Sequence, residues 1–252
     1  MTGVPEISVI TPCYNAAGTI RATIESVRAQ SYPNWEMIIA DDCSTDQSLP
    51  ILQEEAARDR RIHPLAAERN GGAAHARNRA LHQARGRYVA FLDSDDRWKP
   101  EKLEKQLAFM KKGDYAFSFT GYEYIARDGK ALGKQVAAPR AVCYRDMLKN
   151  TIVGCLTVMI DRGKTGPFQM PDLRSRQDLA TWLALLRQGI VAHGLDEPLA
   201  EYRLSGARSL SGNKWEAARK TWLVYREVER ISLPRSLWYF SHYAVNALIK
   251  RF

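Results

Sequence analysis

The 252-residue sequence lacks any uninterrupted apolar run of the roughly 18 residues that a membrane-spanning helix requires. Cysteine is scarce. Cys13, Cys43, Cys143 and Cys155 are all there are, and none stands at C-x-x-C spacing, which argues against a zinc site or a redox motif. Free, mostly buried thiols in a reducing cytoplasm are the simplest account. The start, Met1-Thr2-Gly3-Val4-Pro5-Glu6, has no basic region followed by an apolar core, so no signal peptide is expected. Internal repeats, low-complexity segments and linkers are absent. His75, His82 and His193 have no metal-ligand spacing and read as structural.

What is present fits one sizeable α/β domain with a real core: 45% hydrophobic and 26% charged residues over 252 positions. The net charge of +9 is uneven. From Arg203 to Phe252 there are ten Lys/Arg against three Asp/Glu, so +7 sits in the last fifth of the chain. Such a patch calls for an anionic partner: nucleic acid, anionic lipid or a phosphorylated substrate.

Periodicity alternates strand with helix through the first half. Strands are expected at Ile7–Ile10, Trp35–Ala40, Ile62–Leu65 and Tyr88–Leu92. Helices are expected over Ile20–Val27, from a Ser44-Thr45-Asp46 cap to Arg58, over Ala73–Ala84 and over Pro100–Lys111. This is the pattern of a doubly wound parallel sheet. Beyond Gly113 the rhythm changes. Strands are expected at Tyr115–Tyr122, Val153–Ile160, Ile190–Leu195 and Pro198–Arg203, with helices at Gln177–Gln188 and Asn213–Ile231 and an apolar stretch from Ser236 to Ile249.

Three predicted strands end in polar groups: Thr11-Pro12-Cys13-Tyr14-Asn15, Asp41-Asp42 and Asp93-Ser94-Asp95-Asp96. In a parallel sheet all three ends share one edge, where open α/β sheets bind ligands. Carboxylates so crowded repel one another unless a cation or a hydrogen-bonding ligand neutralises them. Hard oxygen donors of this kind suit Mg²⁺ or Mn²⁺, usually with a substrate phosphate. Asp96 also suits a helix N-cap. Asn70-Gly71-Gly72, followed by Arg77, adds an anion contact near a helix start.

The motifs Pro12-x-Tyr14-Asn15, Asp41-Asp42-x-Ser44-Thr45-Asp46, Asn70-x-Gly72, Ala76-Arg77-Asn78 and Asp93-x-Asp95 resemble, in order and spacing, the signature series of the family 2 glycosyltransferases. The resemblance continues through Arg176-Gln177-Asp178, Trp182-Leu183 and Tyr202-Arg203 to Ser209, and so covers nearly the whole chain. The later blocks are most similar to bacterial transferases that build cell-surface polysaccharides, including the teichuronic-acid type.

The resemblance implies the α/β GT-A fold. Its sheet is doubly wound and mostly parallel, Rossmann-like in the nucleotide-binding half, with a smaller acceptor-side half and a C-terminal helical tail. On this scheme residues 1–112 bind the nucleotide sugar, 113–212 the acceptor, and 213–252 form helices suited to membrane-surface attachment. Thr11, Pro12, Tyr14, Asn15 and Asp42, or its neighbour Asp41, would hold the uracil and ribose of a UDP-sugar. Arg77 would contact the nucleotide, and Asp93 with Ser94 the ribose or sugar. Asp95, helped by Asp93, would hold Mn²⁺ or Mg²⁺. Asp178 falls at the position of the catalytic base; the family commonly has Glu-Asp where this chain has Gln177-Asp178. Gln177 and Trp182 would face a saccharide acceptor, although Trp182 on its helix also suits the core. Arg203, Ser205, Arg208 and Ser209 form a polar loop expected to close over the diphosphate.

Two rival readings fare less well. A sugar nucleotidyltransferase would need a Gly-rich, Arg- and Lys-containing loop where this chain has Pro12-Cys13-Tyr14-Asn15. A basic nucleic-acid-binding module would leave the polar strand ends without purpose, with the acidic ones at 41–42 and 93–96 repelling the ligand, so no nucleic acid partner is expected. The tail, with Trp238, Tyr239, Phe240 and Tyr243 between basic residues, suits an anionic membrane surface; the competing reading is a helix packed on the domain or on a second subunit. The expected location is the cytoplasm, at the inner face of the membrane where a lipid-linked acceptor would lie.

Overall fold

The computed structural model describes residues 3–204 and 214–249. The elements follow in order: β1 (Ile7–Cys13), α1 (Ile20–Arg28), β2 (Trp35–Asp41), α2 (Ser48–Arg58), β3 (Ile62–Ala66), α3 (Ala73–Gln83), β4 (Tyr88–Phe91), β5 (Arg97–Trp98), α4 (Lys102–Gly113), β6 (Phe117–Ile125), β7 (Ala131–Val136), β8 (Ala141–Val142), α5 (Tyr144–Lys149), β9 (Met159–Asp161), α6 (Arg162–Thr165), α7 (Gln177–Leu186), β10 (Ala192–Arg203), α8 (Lys214–Leu223) and α9 (Leu233–Ile249).

One sheet runs through the molecule in the order β3-β2-β1-β4-β9-β6-β10-β5, with β7 on β6 and β8 on β10. β3, β2, β1 and β4 are parallel neighbours. β9 then enters antiparallel to both β4 and β6, and β6 pairs in parallel with β10. Successive side chains of the parallel strands point to opposite faces. Ile10, Ile38, Ala40, Val89 and Phe91 face a core closed by α3 and α7, while Val9, Met37, Ile39, Ala90 and Leu92 face one closed by α1 and α4. Burial on both sides explains why these strands read as continuous apolar runs.

The second half departs from expectation at three places. Within the predicted strand 153–160, Cys155–Thr157 form a 3₁₀ turn, and only Met159–Asp161 join the sheet. The Thr157 N–H and hydroxyl both donate to the Gly154 carbonyl (3.0 and 2.7 Å), a local closure that competes with ladder pairing. The two short strands expected at 190–195 and 198–203 are a single strand, β10, with register shifts on either side of Pro198, which has no N–H to give the ladder. The long helix expected over 213–231 starts outside the described residues at Asn213; α8 ends at Leu223 and runs into a π turn, Val224–Val228, that buries Tyr225 against the Leu148 carbonyl.

Candidate active site

The parallel register brings the three polar strand ends together, two of them acidic. Cys13 lies opposite Asp41, the Asp42 N–H donates to the Cys13 carbonyl (2.8 Å), and the Leu92 N–H donates to that of Ile10 (3.1 Å). The loops beyond are tied to each other. Asn15, at φ 48°, accepts the Thr45 N–H on its side-chain oxygen (2.8 Å), and its own N–H donates to Ser44 Oγ (2.9 Å). The Ala16 N–H reaches Ser48 Oγ (2.8 Å), and the Ala17 N–H reaches Asp46 Oδ2 (3.0 Å). The Ser44-Thr45-Asp46 motif thus holds the first loop in place, and α2 begins only at Ser48. Tyr14 emerges from this brace 52% exposed, a free aromatic face at the crevice. Thr11 is fully buried in β1, its hydroxyl without a partner.

The two acids after β2 do different things. Asp41 is buried beneath the turn that follows; its Oδ2 accepts the Ser44 N–H (3.0 Å) and its Oδ1 has no partner. Asp42 accepts the Gly71 N–H on one oxygen (2.8 Å) and the Gly72 N–H on the other (2.7 Å), while its carbonyl accepts from the Asn70 amide (3.0 Å). Gly72 has φ 86°, a conformation that favours glycine. The Asn70-Gly71-Gly72 turn is therefore a carboxylate-anchored entry to α3, the helix that carries Arg77. Asn78 on the same helix clamps Met170 through two bonds of 2.8 Å, which fixes the approach to α7.

Arg77 is buried and pairs with Asp93, while its Nε and one terminal nitrogen have no partner. Burial disfavours its charge, but the Asp93 carboxylate outweighs this and raises its pKa; Asp178 contributes in the same sense. Buried donors without acceptors at a ligand crevice suit an incoming anion. Cys155 lies among these groups, within the field of Arg77, Asp93, Asp178 and Asp96, and burial pushes its thiol well above the usual range. These shared interactions put Asp178, at the first turn of α7, in one electrostatic cluster with Arg77 and Asp93.

The Asp93–Asp96 loop is held from both sides. The Thr19 and Thr23 hydroxyls of the α1 segment donate to the Ser94 carbonyl (2.9 and 3.0 Å), and Thr23 also donates to that of Asp96 (2.8 Å). Asp96 is buried and accepts the Arg203 N–H (2.8 Å). It is not a helix cap: α4 starts only at Lys102. Burial, then its acidic neighbours, raise the pKa of Asp96 well above the ordinary carboxylate range; burial and Asp93 raise that of Asp95.

Among the described residues no three His, Cys, Asp or Glu side chains form a ready-made metal cage. Asp93 and Asp95 nevertheless fit a hard divalent ion. Both are only half-buried, no neighbouring residue donates to the Asp95 carboxylate among the described residues, and the crowding that raises its pKa is what a cation relieves. Mg²⁺ and Mn²⁺ take one or two protein carboxylates and complete their shell with water and phosphate, so two suffice.

Two expectations need correction. Trp182 does not face an acceptor: it is fully buried, edge-on to Phe91 and Phe117 with ring centroids 5.4 and 5.3 Å away. α7 turns that side inward because Leu179, Leu183 and Leu186 share it. Arg203 is not a mobile charge over a diphosphate. It is 6% exposed, and its guanidinium donates to the carbonyls of Asp95 (2.7 Å), Arg127 (2.8 Å) and Ala126 (3.3 Å), a strut beneath Asp95. Ser205, Arg208 and Ser209 lie outside the described residues. Gln177 is buried, with its side-chain oxygen unpartnered.

Sequence reasoning missed Lys102 altogether. It is fully buried, its ammonium lies 3.8 Å from the centre of the Trp98 ring, and it has no hydrogen-bond partner. Burial pushes its pKa well below the ordinary value. Thr19 and Thr23 were also missed, although their four-residue spacing on one helix face was a readable signal.

Comparison with known proteins bears on family and fold. The sequence profile of glycosyl transferase family 2 matches residues 8–168. The chain is 59% identical over 247 residues to the putative teichuronic acid biosynthesis glycosyltransferase TuaG of Bacillus subtilis, covering 98% of both chains. It is 40% identical over 245 residues to WfgD of Escherichia coli, a UDP-Glc:alpha-D-GlcNAc-diphosphoundecaprenol beta-1,3-glucosyltransferase, covering 97% of this chain and 94% of that one. The fold is shared with S. aureus TarS 1-349 in complex with UDP (TM-score 0.69, 22% identity, 95% of this chain and 70% of that one). It is shared too with the mannosyltransferase PcManGT of Pyrobaculum calidifontis in complex with GDP-Man and Mn²⁺ (TM-score 0.68, 19% identity, 90% and 65%). The architecture is the GT-A fold, and the chain belongs to glycosyl transferase family 2.

Proposed function

We propose that this protein transfers a sugar from a UDP-sugar to a lipid-linked saccharide acceptor, with inversion at the anomeric carbon, in the synthesis of a cell-surface polysaccharide. The observation that carries the reading is the gathering of Tyr14, Asp42, Arg77, Asp93 and Asp95 at one sheet edge, with Asp178 in the same electrostatic cluster. The printed activity of WfgD, and the UDP bound to TarS, support the donor and acceptor classes.

In this reading residues 1–112 grip the donor and 113–212 shape the acceptor side. Tyr14 stacks on the base. Asp42 keeps a free lone pair on each oxygen beyond its two glycine bonds, and so can also accept from a base N–H. The unpartnered nitrogens of Arg77 donate to donor oxygens. Asp95, with Asp93, would hold Mn²⁺ or Mg²⁺, which when bound neutralises the charge that builds on the departing diphosphate without proton transfer. An acceptor hydroxyl attacks the anomeric carbon as the bond to UDP breaks. Asp178 takes the hydroxyl proton, a contribution of order 10²–10⁴ in rate. One base and in-line attack invert the centre.

The test is UDP release from a panel of UDP-sugars with Mn²⁺ and a diphosphate-linked saccharide acceptor. At least one sugar should turn over, Asp95→Ala should abolish it, and Asp178→Asn should abolish it while UDP still binds. Near wild-type turnover by Asp178→Asn would remove that residue from the chemistry.

A further inference from the structure

We propose that the outer face of α9 docks on a bilayer surface containing anionic lipid and holds the acceptor side of the site against the membrane. The inference rests on the reading that the acceptor is lipid-linked.

α9 runs from Leu233 to Ile249, about 25 Å of helix, too short to cross the roughly 30 Å hydrocarbon core. Among the described residues no helix is long and apolar enough to span. From Ser236 to Ile249 the sequence contains no Asp, Glu, Lys or Arg. A helix lying on a protein in water normally turns charged residues outward. Beyond Arg235, exposed at its first turn, this one turns out Leu233, Pro234, Leu237, Trp238, Ala244 and Val245, which recur at helical spacing as one stripe with Ser241 among them. Leu237, Trp238 and Val245 are 56%, 59% and 54% exposed. The opposite face is fully used: Tyr239 and Phe240 pack on the core, and Tyr243 is buried.

Charge decides what covers the stripe. Exposed Arg230 precedes the helix, exposed Arg235 sits in its first turn beside the stripe, and Lys250-Arg251 follow it in sequence. A second copy of this chain, placed face to face, would oppose like charges. An anionic headgroup layer complements them, with Trp238 at the depth tryptophan favours.

Position links the stripe to the site. Arg176, the residue that caps α7 immediately before Gln177-Asp178, donates to the Tyr243 hydroxyl on the inner face of α9 (3.3 Å). Asn246 donates to the Lys149 carbonyl (3.1 Å) and fixes the helix on α5. A surface touching the stripe is thus separated from Arg176 by about one helix diameter, of order 10 Å. An acceptor whose lipid stays in the bilayer would present its sugar on that side.

The experiment is flotation of the full chain with vesicles of phosphatidylcholine alone, or with about one third phosphatidylglycerol. The wild type should float with the anionic vesicles. The double variant Leu237→Glu/Trp238→Glu should partition at least tenfold less, and Trp238→Phe should retain binding. Neither position belongs to the catalytic machinery, so UDP affinity of the double variant should be unchanged, which excludes misfolding. Equal flotation of wild type and double variant overturns the proposal. So does sedimentation showing a dimer that the double variant dissociates while flotation persists. Flotation reads no turnover: a chain that floats as expected yet releases no UDP supports the docking surface and overturns the donor reading.

Discussion

Replacing Asp42 with Asn changes one heavy atom and should be among the most damaging conservative substitutions in the molecule. The buried Asp42 carboxylate accepts one glycine N–H on each oxygen, at 2.8 and 2.7 Å. Hydrogen bonds to a charged group contribute about 1.5–3 kcal/mol each, and a buried donor left unmet costs about 1–3 kcal/mol. Asn keeps one acceptor and turns its NH₂ toward the other glycine, donor against donor. The expected loss is about 3 kcal/mol, a fall in Tm of about 6–12 °C for a chain of this size. The freed Asn70–Gly72 turn also releases the start of α3, and UDP should bind about tenfold more weakly or worse because Arg77 rides on that helix. Asp41 is the internal control. Only its Oδ2 is engaged, with Ser44, and its Oδ1 has no partner, so Asn can keep the bond and exchanges one unmet buried oxygen for an unmet NH₂, two costs that offset. Asp41→Asn should change stability by less than about 1 kcal/mol. Thermal unfolding of both variants with calorimetric UDP titration reads the contrast. An Asp42→Asn protein with wild-type Tm, or the reverse order of the two variants, would refute the assignment.

Arg203→Lys should lower turnover and Tm together, because one ammonium cannot span the carbonyls of Asp95, Ala126 and Arg127 that the planar guanidinium bridges; unchanged steady-state kinetics would contradict its role as a strut. Lys102→Met should stabilise the protein by about 1–4 kcal/mol near neutral pH, since on burial the lysine gives up either its hydration or its proton and gains no hydrogen bond in return. Its depressed folded pKa means that stability is lost as pH falls from the unfolded value of 10.5 toward the folded one, so the variant's advantage is largest near neutrality and shrinks as pH approaches 10.5. Urea unfolding at about pH 7 and about pH 9.5 checks this, and an equal gain at both would mean that Lys102 is charged in the native state.

The parallel half of the fold was legible because strands buried on both faces leave an unmistakable apolar run, and the helices between them repeat at 3.6 residues. β1 to β4 and α1 to α4 fall within a few residues of where periodicity put them. The second half was less legible for local reasons: a Thr157 side chain that closes a turn on Gly154, and a proline that bends β10 without ending it. β5 and β8, two residues each, are too short to leave any pattern, and β7 is exposed. In the site, residue type and spacing identified the carboxylates but not their division of labour. Trp182 could not be assigned from sequence, because an aromatic one turn from a site carboxylate can face either way until the packing of Phe91 and Phe117 is known.

The same division explains why so much of the motif series is hydroxyl, amide and carboxylate. A site that must hold a polyanion cannot rely on the anion to order its loops without spending binding energy on that ordering. Here the loops are joined by hydrogen bonds between protein atoms. Asn15 with Ser44 and Thr45, Asp46 with Ala17, Asp42 with Gly71 and Gly72, Thr19 and Thr23 with the Asp93–Asp96 loop, and Arg203 with Asp95 form a chain of bonds between segments up to 108 residues apart. Many of the motif residues therefore act on protein atoms, leaving Tyr14, Arg77, Asp93, Asp95 and Asp178 for the ligand, with Asp42 serving both. Variants of the bracing residues, and of the buried Arg77–Asp93 pair, should lose stability and donor affinity together, whereas variants of Tyr14, Asp95 and Asp178 should lose affinity or turnover at constant Tm, a separation that a single panel of melting curves and UDP titrations can read.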